Sequence, residues 1–362
     1  MTGAERGMAG SAQATNAKPR LGATDRYQTL DALRGVAAVI VVLYHAAVSF
    51  HLGGYSPPLS YLSVDLFFCL SGFVIALSYD PKMAAGMSTR AFMQKRIIRL
   101  GPLAFLGWTL SVATIGITDT IGQLSWAELA QGIVLNLFLL PSLVGQLFPL
   151  NAPGWSLFFE LWVANLAYAA AWRWLRGKLL VIIISAAFVG LVICGRPQRW
   201  LNLGYDHLSI MAGFARVIFS FFAGVAVQRF HARKPAPFEI PSFVICLILV
   251  TAMCIPVSGR LGLIYQVFCV SVVFPAIVYF GASAKERRPK IGKALGDASY
   301  AAYTIHWPIL CFVAWLVGHR DLTSYGAVFQ IGITALIVLL AISAHHAFDE
   351  PLRERIRGWL RH

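Results

Sequence analysis

The sequence predicts an all-α integral membrane protein, a bundle of about ten transmembrane helices with both termini in the cytoplasm. Three observations carry this reading. Of 362 residues, 58% are hydrophobic and only 13% charged, about half the roughly 25% of charged residues in soluble proteins. Apolar stretches of about 20 residues recur along nearly the whole chain, each long enough to cross roughly 30 Å of hydrocarbon as a helix. These stretches are continuous and rich in Phe, Ile and Leu; the short alternating strands of an outer-membrane barrel would look different.

In chain order, the expected spans lie near residues 30–50, 61–79, 97–117, 154–175, 179–195, 208–230, 240–257, 262–281, 297–318 and 325–348. An eleventh run, from Trp126 to Leu140, is short. If it crossed, Arg173, Arg176 and Lys178 and the tail arginines Arg353, Arg355, Arg357 and Arg361 would all fall outside. Lys and Arg near span ends set orientation by staying inside, so this run is expected not to cross. The outside then keeps only Arg196, Arg199, Arg260 and Arg320.

Residues 1–25, rich in Ala, Gly and Thr, are expected to form a disordered cytoplasmic tail, and residues 26–362 a single membrane domain. The first apolar run is too long for the core of a cleaved signal peptide. The net charge of +14 is distributed between hydrophobic spans, which speaks for topology and membrane lipid and against a nucleic-acid surface. Cys69, Cys194, Cys246, Cys254, Cys269 and Cys311 all lie within apolar runs. They show no metal-ligand spacing, and no metal is expected.

Ionisable groups at membrane depth single out the functional candidates, because each costs roughly 2.5 to 3.5 kcal/mol to insert. Arg34 and His45 are eleven residues apart on the first span, about 16 Å along a helix. Arg34 falls near the cytoplasmic end and His45 in the outer half. Asp65 on the second span lies at a depth similar to His45 and is expected to orient or charge-tune it, as a carboxylate supports a general base. Glu160 on the fourth span lies at comparable depth. For Asp65 and Glu160 the alternative is a buried polar network that only fixes helix packing.

Arg96 and Arg99 join Arg34 at the inner ends of the first and third spans. Such a cluster suits a phosphate-bearing ligand, or else anionic lipid headgroups. Arg216, near mid-membrane, lies beyond any headgroup and requires an internal anion or carbonyls. Tyr300, Tyr303 and His306 recur at three-residue spacing and share one helix face. That face either lines a substrate or packs aromatically.

The ordered set of segments resembles the membrane-bound acyltransferase family 3. It comprises LDALRGVAAVIVVLYH, VDLFFCLSGFVI, RIIRLGP, WSLFFE, Arg216 before FFAG, DASYAAYTIHWPI and FDEPLRERIR, and it covers residues 30–357. The resemblance implies transfer of an acyl group, often acetyl, from cytoplasmic acyl-CoA to a carbohydrate, lipid or other hydroxyl. It maps the family's Arg and His pair onto Arg34 and His45, its basic motif onto Arg96 and Arg99, and its glutamate onto Glu160. Arg216, Tyr300, Tyr303 and His306 are expected to contact substrate. Some relatives carry an appended esterase-like domain, and this chain is expected to work without one or with a separate partner.

A hydroxyl is a poor nucleophile at neutral pH and needs a base. His45 either is that base or takes the acyl group itself as an acyl-imidazole. The arginines would hold the phosphates of the donor, acetyl-CoA, while its thin arm reaches into the bundle. The competing class is a proton-coupled transporter or flippase, which also uses intramembrane ionisable groups. Transporters commonly carry internal repeats or paired broken helices, and the sequence shows neither. The expected location is the cell's inner, cytoplasmic membrane, with a carbohydrate or lipid-linked acceptor.

Overall fold

The computed structural model describes residues 27–52, 57–118, 123–284, 289–318 and 325–360. The expected N-terminal tail lies outside the described residues. Those residues form helices and connecting turns, with no strand among them. The chain runs α1 (Gln28–Ser49), α2 (Ser63–Ala84), α3 (Thr89–Ile117), α4 (Trp126–Val134), α5 (Gly154–Phe158), α6 (Leu166–Ala171) and α7 (Gly177–Gln198). It continues with α8 (Ile210–Arg233), α9 (Ser242–Cys254), α10 (Gly259–Phe268), α11 (Phe274–Gly281), α12 (Pro289–Val317), α13 (Gly326–Ala344) and α14 (Glu350–Trp359). Single π-helical turns at Phe159–Asn165, Cys269–Val273 and His345–Asp349 join α5 to α6, α10 to α11 and α13 to α14.

Eight of the expected spans are helices long and apolar enough to cross a membrane: α1, α2, α3, α7, α8, α10–α11, α12 and α13–α14. The other two expected runs are shorter. Helix α9 has 13 residues, about 20 Å of rise against roughly 30 Å of hydrocarbon. It is bounded by Pro241 before and Pro256 after. The fourth run is an 18-residue helix over 154–171, continuous through the π-turn at Phe159–Asn165. The eleventh run yields only the nine-residue α4, closed at its start by a reciprocal capping box between Ser125 and Glu128. At nine residues it cannot span, in line with the charge argument. Outside the spans, the Glu128 carboxyl is held below the usual range by the backbone N–H and hydroxyl of Ser125.

Lipid offers no hydrophobic drive between helices, so close packing depends on small residues that let backbones approach. A side chain at Gly72 would overlap the carbonyl of Phe221, and one at Gly224 the carbonyl of Cys69, so α2 and α8 meet glycine to backbone. Helices α1 and α12 make a matching contact, Gly35 on Leu295 and Gly296 on Asp31. Their contacts advance together along both chains, so the two run parallel. This pair places one histidine of each helix side by side.

A polar pair of cavities in the bundle

Two cavities lie back to back between α1, α2, α3, α5 and α12. The first, about 180 Å³, is lined by Arg34, Arg96, Arg99, Ser71, Ser156, Glu160, Ser299, Tyr300 and Tyr303 among apolar residues. Six of the residues marked out in the sequence meet here. Glu160 sits in the π-turn after α5, where the wider helix turns its carboxylate towards α2 and α3; such turns are frequent at functional sites. Its Oε1 accepts from Ser71 Oγ at 2.7 Å and from Arg96 Nη2 at 3.1 Å. Arg99 faces Asp349 at 3.8 Å, and that carboxylate is also taken by Arg353 and His345. Arg34 forms no ion pair among the described residues. Three guanidinium groups and one carboxylate, that of Glu160, line this cavity, leaving positive charge facing it.

The tyrosines form the far wall. Tyr300 donates to the Leu100 carbonyl at 2.8 Å. Tyr303 lies 2.6 Å from Ser156 Oγ and 3.2 Å from the Pro153 carbonyl. Beyond Tyr303 and Val64, which line both spaces, opens the second cavity of about 530 Å³. Its walls include Tyr44, His45, Tyr61, Gln146, Trp155, Asn202, Tyr205, Asp206 and Trp307. Polar groups set among aromatic faces are the usual make-up of a small-molecule site.

His45 belongs to this second cavity. Its Nδ1 is 3.1 Å from the Val41 carbonyl and 3.2 Å from His306 Nε2. His306 Nδ1 is in turn 2.9 Å from the Ala302 carbonyl. A carbonyl only accepts, so each Nδ1 carries its proton. His306 Nε2 then accepts from His45 Nδ1, and His45 Nε2 is left as a bare lone pair. Trp307 packs edge-on against the His45 ring at 5.6 Å.

The expected Asp65 support for His45 is not formed. Asp65 is fully buried and engages Arg216, whose Nη2 reaches Oδ2 at 2.6 Å and whose Nε lies at 3.2 and 3.3 Å. Ser220 adds a bond at 3.3 Å, and the Leu203 and Tyr61 carbonyls take the remaining guanidinium donors at 2.6 and 3.1 Å. A delocalised cation with several donors holds a carboxylate more strongly than a single imidazole N–H. Arg216 therefore finds the internal anion and carbonyls its depth requires, but it is sealed and lines neither cavity, contrary to the expected substrate contact. His306, also expected to touch substrate, is buried behind His45.

Sequence reasoning missed His306 as the partner of His45. The two histidines each lie 17 residues past the first residue of their helix, from 28 to 45 and from 289 to 306. Helix α12 begins well before its apolar run, so counting from that run puts His306 too shallow. Ser71, Asp349 and the polar groups of the second cavity, Asn202 and Asp206, gave no periodic signal in the sequence.

Similarity to known proteins fits this architecture. Residues 27–346 match the profile of the family described as the acyltransferase domain, acyltransferase 3. Protein 2 in the picA locus of Rhizobium radiobacter is 40% identical over 183 residues, 45% of this chain and 92% of that protein. The exopolysaccharide production protein ExoZ of Rhizobium meliloti (strain 1021) is 23% identical over 88% of this chain and 96% of its own length. The peptidoglycan O-acetyltransferase OatA of Listeria monocytogenes serovar 1/2a is 24% identical over 90% of this chain, which spans 56% of that larger protein. No solved structure matches. The chain belongs to the membrane-bound acyltransferase family 3 and is a multi-pass membrane acyltransferase.

Proposed function

We propose that this protein is an O-acyltransferase of the inner membrane that takes an acyl group, acetyl in the simplest case, from cytoplasmic acyl-CoA and delivers it to a carbohydrate hydroxyl. The observation that carries the reading is the pair of cavities with one shared wall, cations in one and a histidine in the other. Arg34, Arg96 and Arg99 hold the phosphates of the donor, since guanidinium groups bind phosphate through several fixed N–H donors. Glu160 and Asp349 hold Arg96 and Arg99 in place, so Glu160 acts as a positioning residue for the donor. Tyr300 and Tyr303 line the path of the pantetheine arm, and the thioester passes Val64 and Tyr303 to reach His45.

In the second cavity the acceptor hydroxyl gives its proton to His45 Nε2 as its oxygen attacks the thioester carbonyl. The C–S bond breaks, and the thiol leaves with the proton that His45 returns. His306 fixes the His45 tautomer and disperses charge as the imidazole becomes protonated. Asp65 and Arg216 hold α2 to α8 and the Tyr61 backbone, and so set the floor of this cavity. The polysaccharide-related names of ExoZ and OatA support a carbohydrate acceptor.

Two variants assayed with labelled acetyl-CoA in membrane vesicles test the division of labour. His45→Ala is expected to lower kcat at least a hundredfold, with the donor KM little changed. Arg34→Ala is expected to raise the donor KM about tenfold or more, with kcat retained in part. Equal effects of both variants on kcat and KM would contradict separate donor and chemical sites.

A further inference from the structure

We infer that His345, His346 and Glu350 form a binding site for a divalent transition-metal ion of the Zn²⁺ type, held on the π-turn that ends α13. The backbone makes the cluster possible. In an α-helix residues five apart point away from one another, but a π-turn closes i to i+5. Within His345–Asp349 and the residue after it, this brings His345 Nε2 to 3.4 Å from Glu350 Oε1. The i, i+4 relation brings His346 Nδ1 to 3.1 Å from the other oxygen, Oε2. One ligand atom from each of the three residues lies within 4.8 Å of the others. Four-coordinate zinc with bonds of about 2.0 to 2.1 Å places its ligand atoms about 3.3 Å apart, and each histidine lies near that distance from a different oxygen of the Glu350 carboxylate, at 3.4 and 3.1 Å.

The proton arrangement supplies an independent reason. His345 Nδ1 is 3.1 Å from Asp349 Oδ2, and a carboxylate only accepts, so that nitrogen carries the proton. The opposite nitrogen, Nε2, then presents a lone pair. It is buried with no hydrogen-bond partner, on a side chain only 4% exposed, and it faces an oxygen that also has only lone pairs to offer. Two acceptors turned to each other at 3.4 Å call for a cation between them.

The arrangement around the cluster is the one that metal-bound histidines use, with a carboxylate on the far ring nitrogen that fixes tautomer and orientation. Asp349 is itself fixed by Arg353 and faces Arg99 at 3.8 Å. Imidazole nitrogens with a carboxylate suit zinc and its neighbours rather than Ca²⁺ or Mg²⁺. Three protein ligands leave one position for water. His346 and Glu350 are 59% and 50% exposed at their side chains, which gives the ion a way in. Bound there, it would lock the π-turn and, through Asp349, the wall of the arginine cavity.

The test uses the full chain in detergent, with any polyhistidine tag removed, titrated with Zn²⁺ alone by calorimetry and thermal unfolding. Wild-type protein is expected to bind about one equivalent and to gain thermal stability on binding. His346→Ala and Glu350→Gln, both at exposed positions, are expected to weaken binding at least tenfold and to abolish the thermal shift. His207→Ala, an exposed histidine elsewhere, should behave as wild type. Co²⁺ should give the visible absorption of a four- or five-coordinate site in wild type and neither variant. Absence of stoichiometric binding, or binding that both variants retain, would overturn the site and leave a proton shared between His345 and Glu350 as the cation.

Discussion

His45 is useful because of the nitrogen its neighbours leave bare. A histidine whose Nδ1 gives its proton to Val41 and His306 offers Nε2 to the cavity in one tautomer and one orientation, with no proton to lose first. In the proposed reaction His306 is a positioning residue whose removal should act on the chemical step. His306→Ala is expected to lower kcat about ten- to a hundredfold with donor KM unchanged, and His306→Gln, which keeps an acceptor for Nδ1–H, to recover part of it. Steady-state kinetics checks this, and an unchanged kcat would assign His306 to packing alone. At this scale the sequence marked out most of the site but not its pairings. His45, Arg34, Arg96, Arg99 and Glu160 are legible because charge in lipid is costly. The partner of Asp65 was missed because depth alone cannot tell an imidazole from a guanidinium 151 residues away.

Between helices, α2 and α8 are joined by the buried Asp65–Arg216 pair and, about two helical turns along, by the tight contacts at Gly72 and Gly224. Breaking a buried pair by removing one partner leaves an uncompensated charge, a loss of about 3 to 5 kcal/mol. Asp65→Asn and Arg216→Met are each expected to lower thermal stability and abundance sharply. Combining them as Asp65→Leu with Arg216→Met should restore much of the stability, because an apolar pair of similar volume has no charge to satisfy. Chemical denaturation in detergent measures all three, and equal losses in the single and double variants would show that the pair is not the source. The π-turns were not legible in the sequence. They keep the hydrophobic composition of an α-helix, and their extra residue is visible only in the backbone, yet one of them places Glu160 and another brings His345 to Glu350.

Across the whole molecule, the sequence foretold helices and their order because apolar length and charge placement are themselves the constraints that lipid imposes. Eight of the ten expected spans are long and apolar enough to cross on their own, while prolines bound the 13-residue α9 and the fourth run is a shorter helix with a π-turn inside it. Orientation makes its own prediction. Leu143, exposed in the loop before α5, should be labelled as Leu143→Cys by an impermeant thiol reagent added outside intact cells, in a background with the exposed Cys254 replaced by Ser. Labelling only after the membrane is opened would reverse the topology.

In the proposed reaction the arginine cavity and the histidine cavity face opposite sides, and the acyl group crosses the wall of Val64 and Tyr303 that both cavities share. Sealed vesicles of known orientation, given labelled acetyl-CoA on one side and a carbohydrate acceptor on the other, test this most directly. Transfer is predicted when the donor is on the cytoplasmic, arginine side, and to be lost in His45→Ala; transfer only when donor and acceptor share one side would contradict the account.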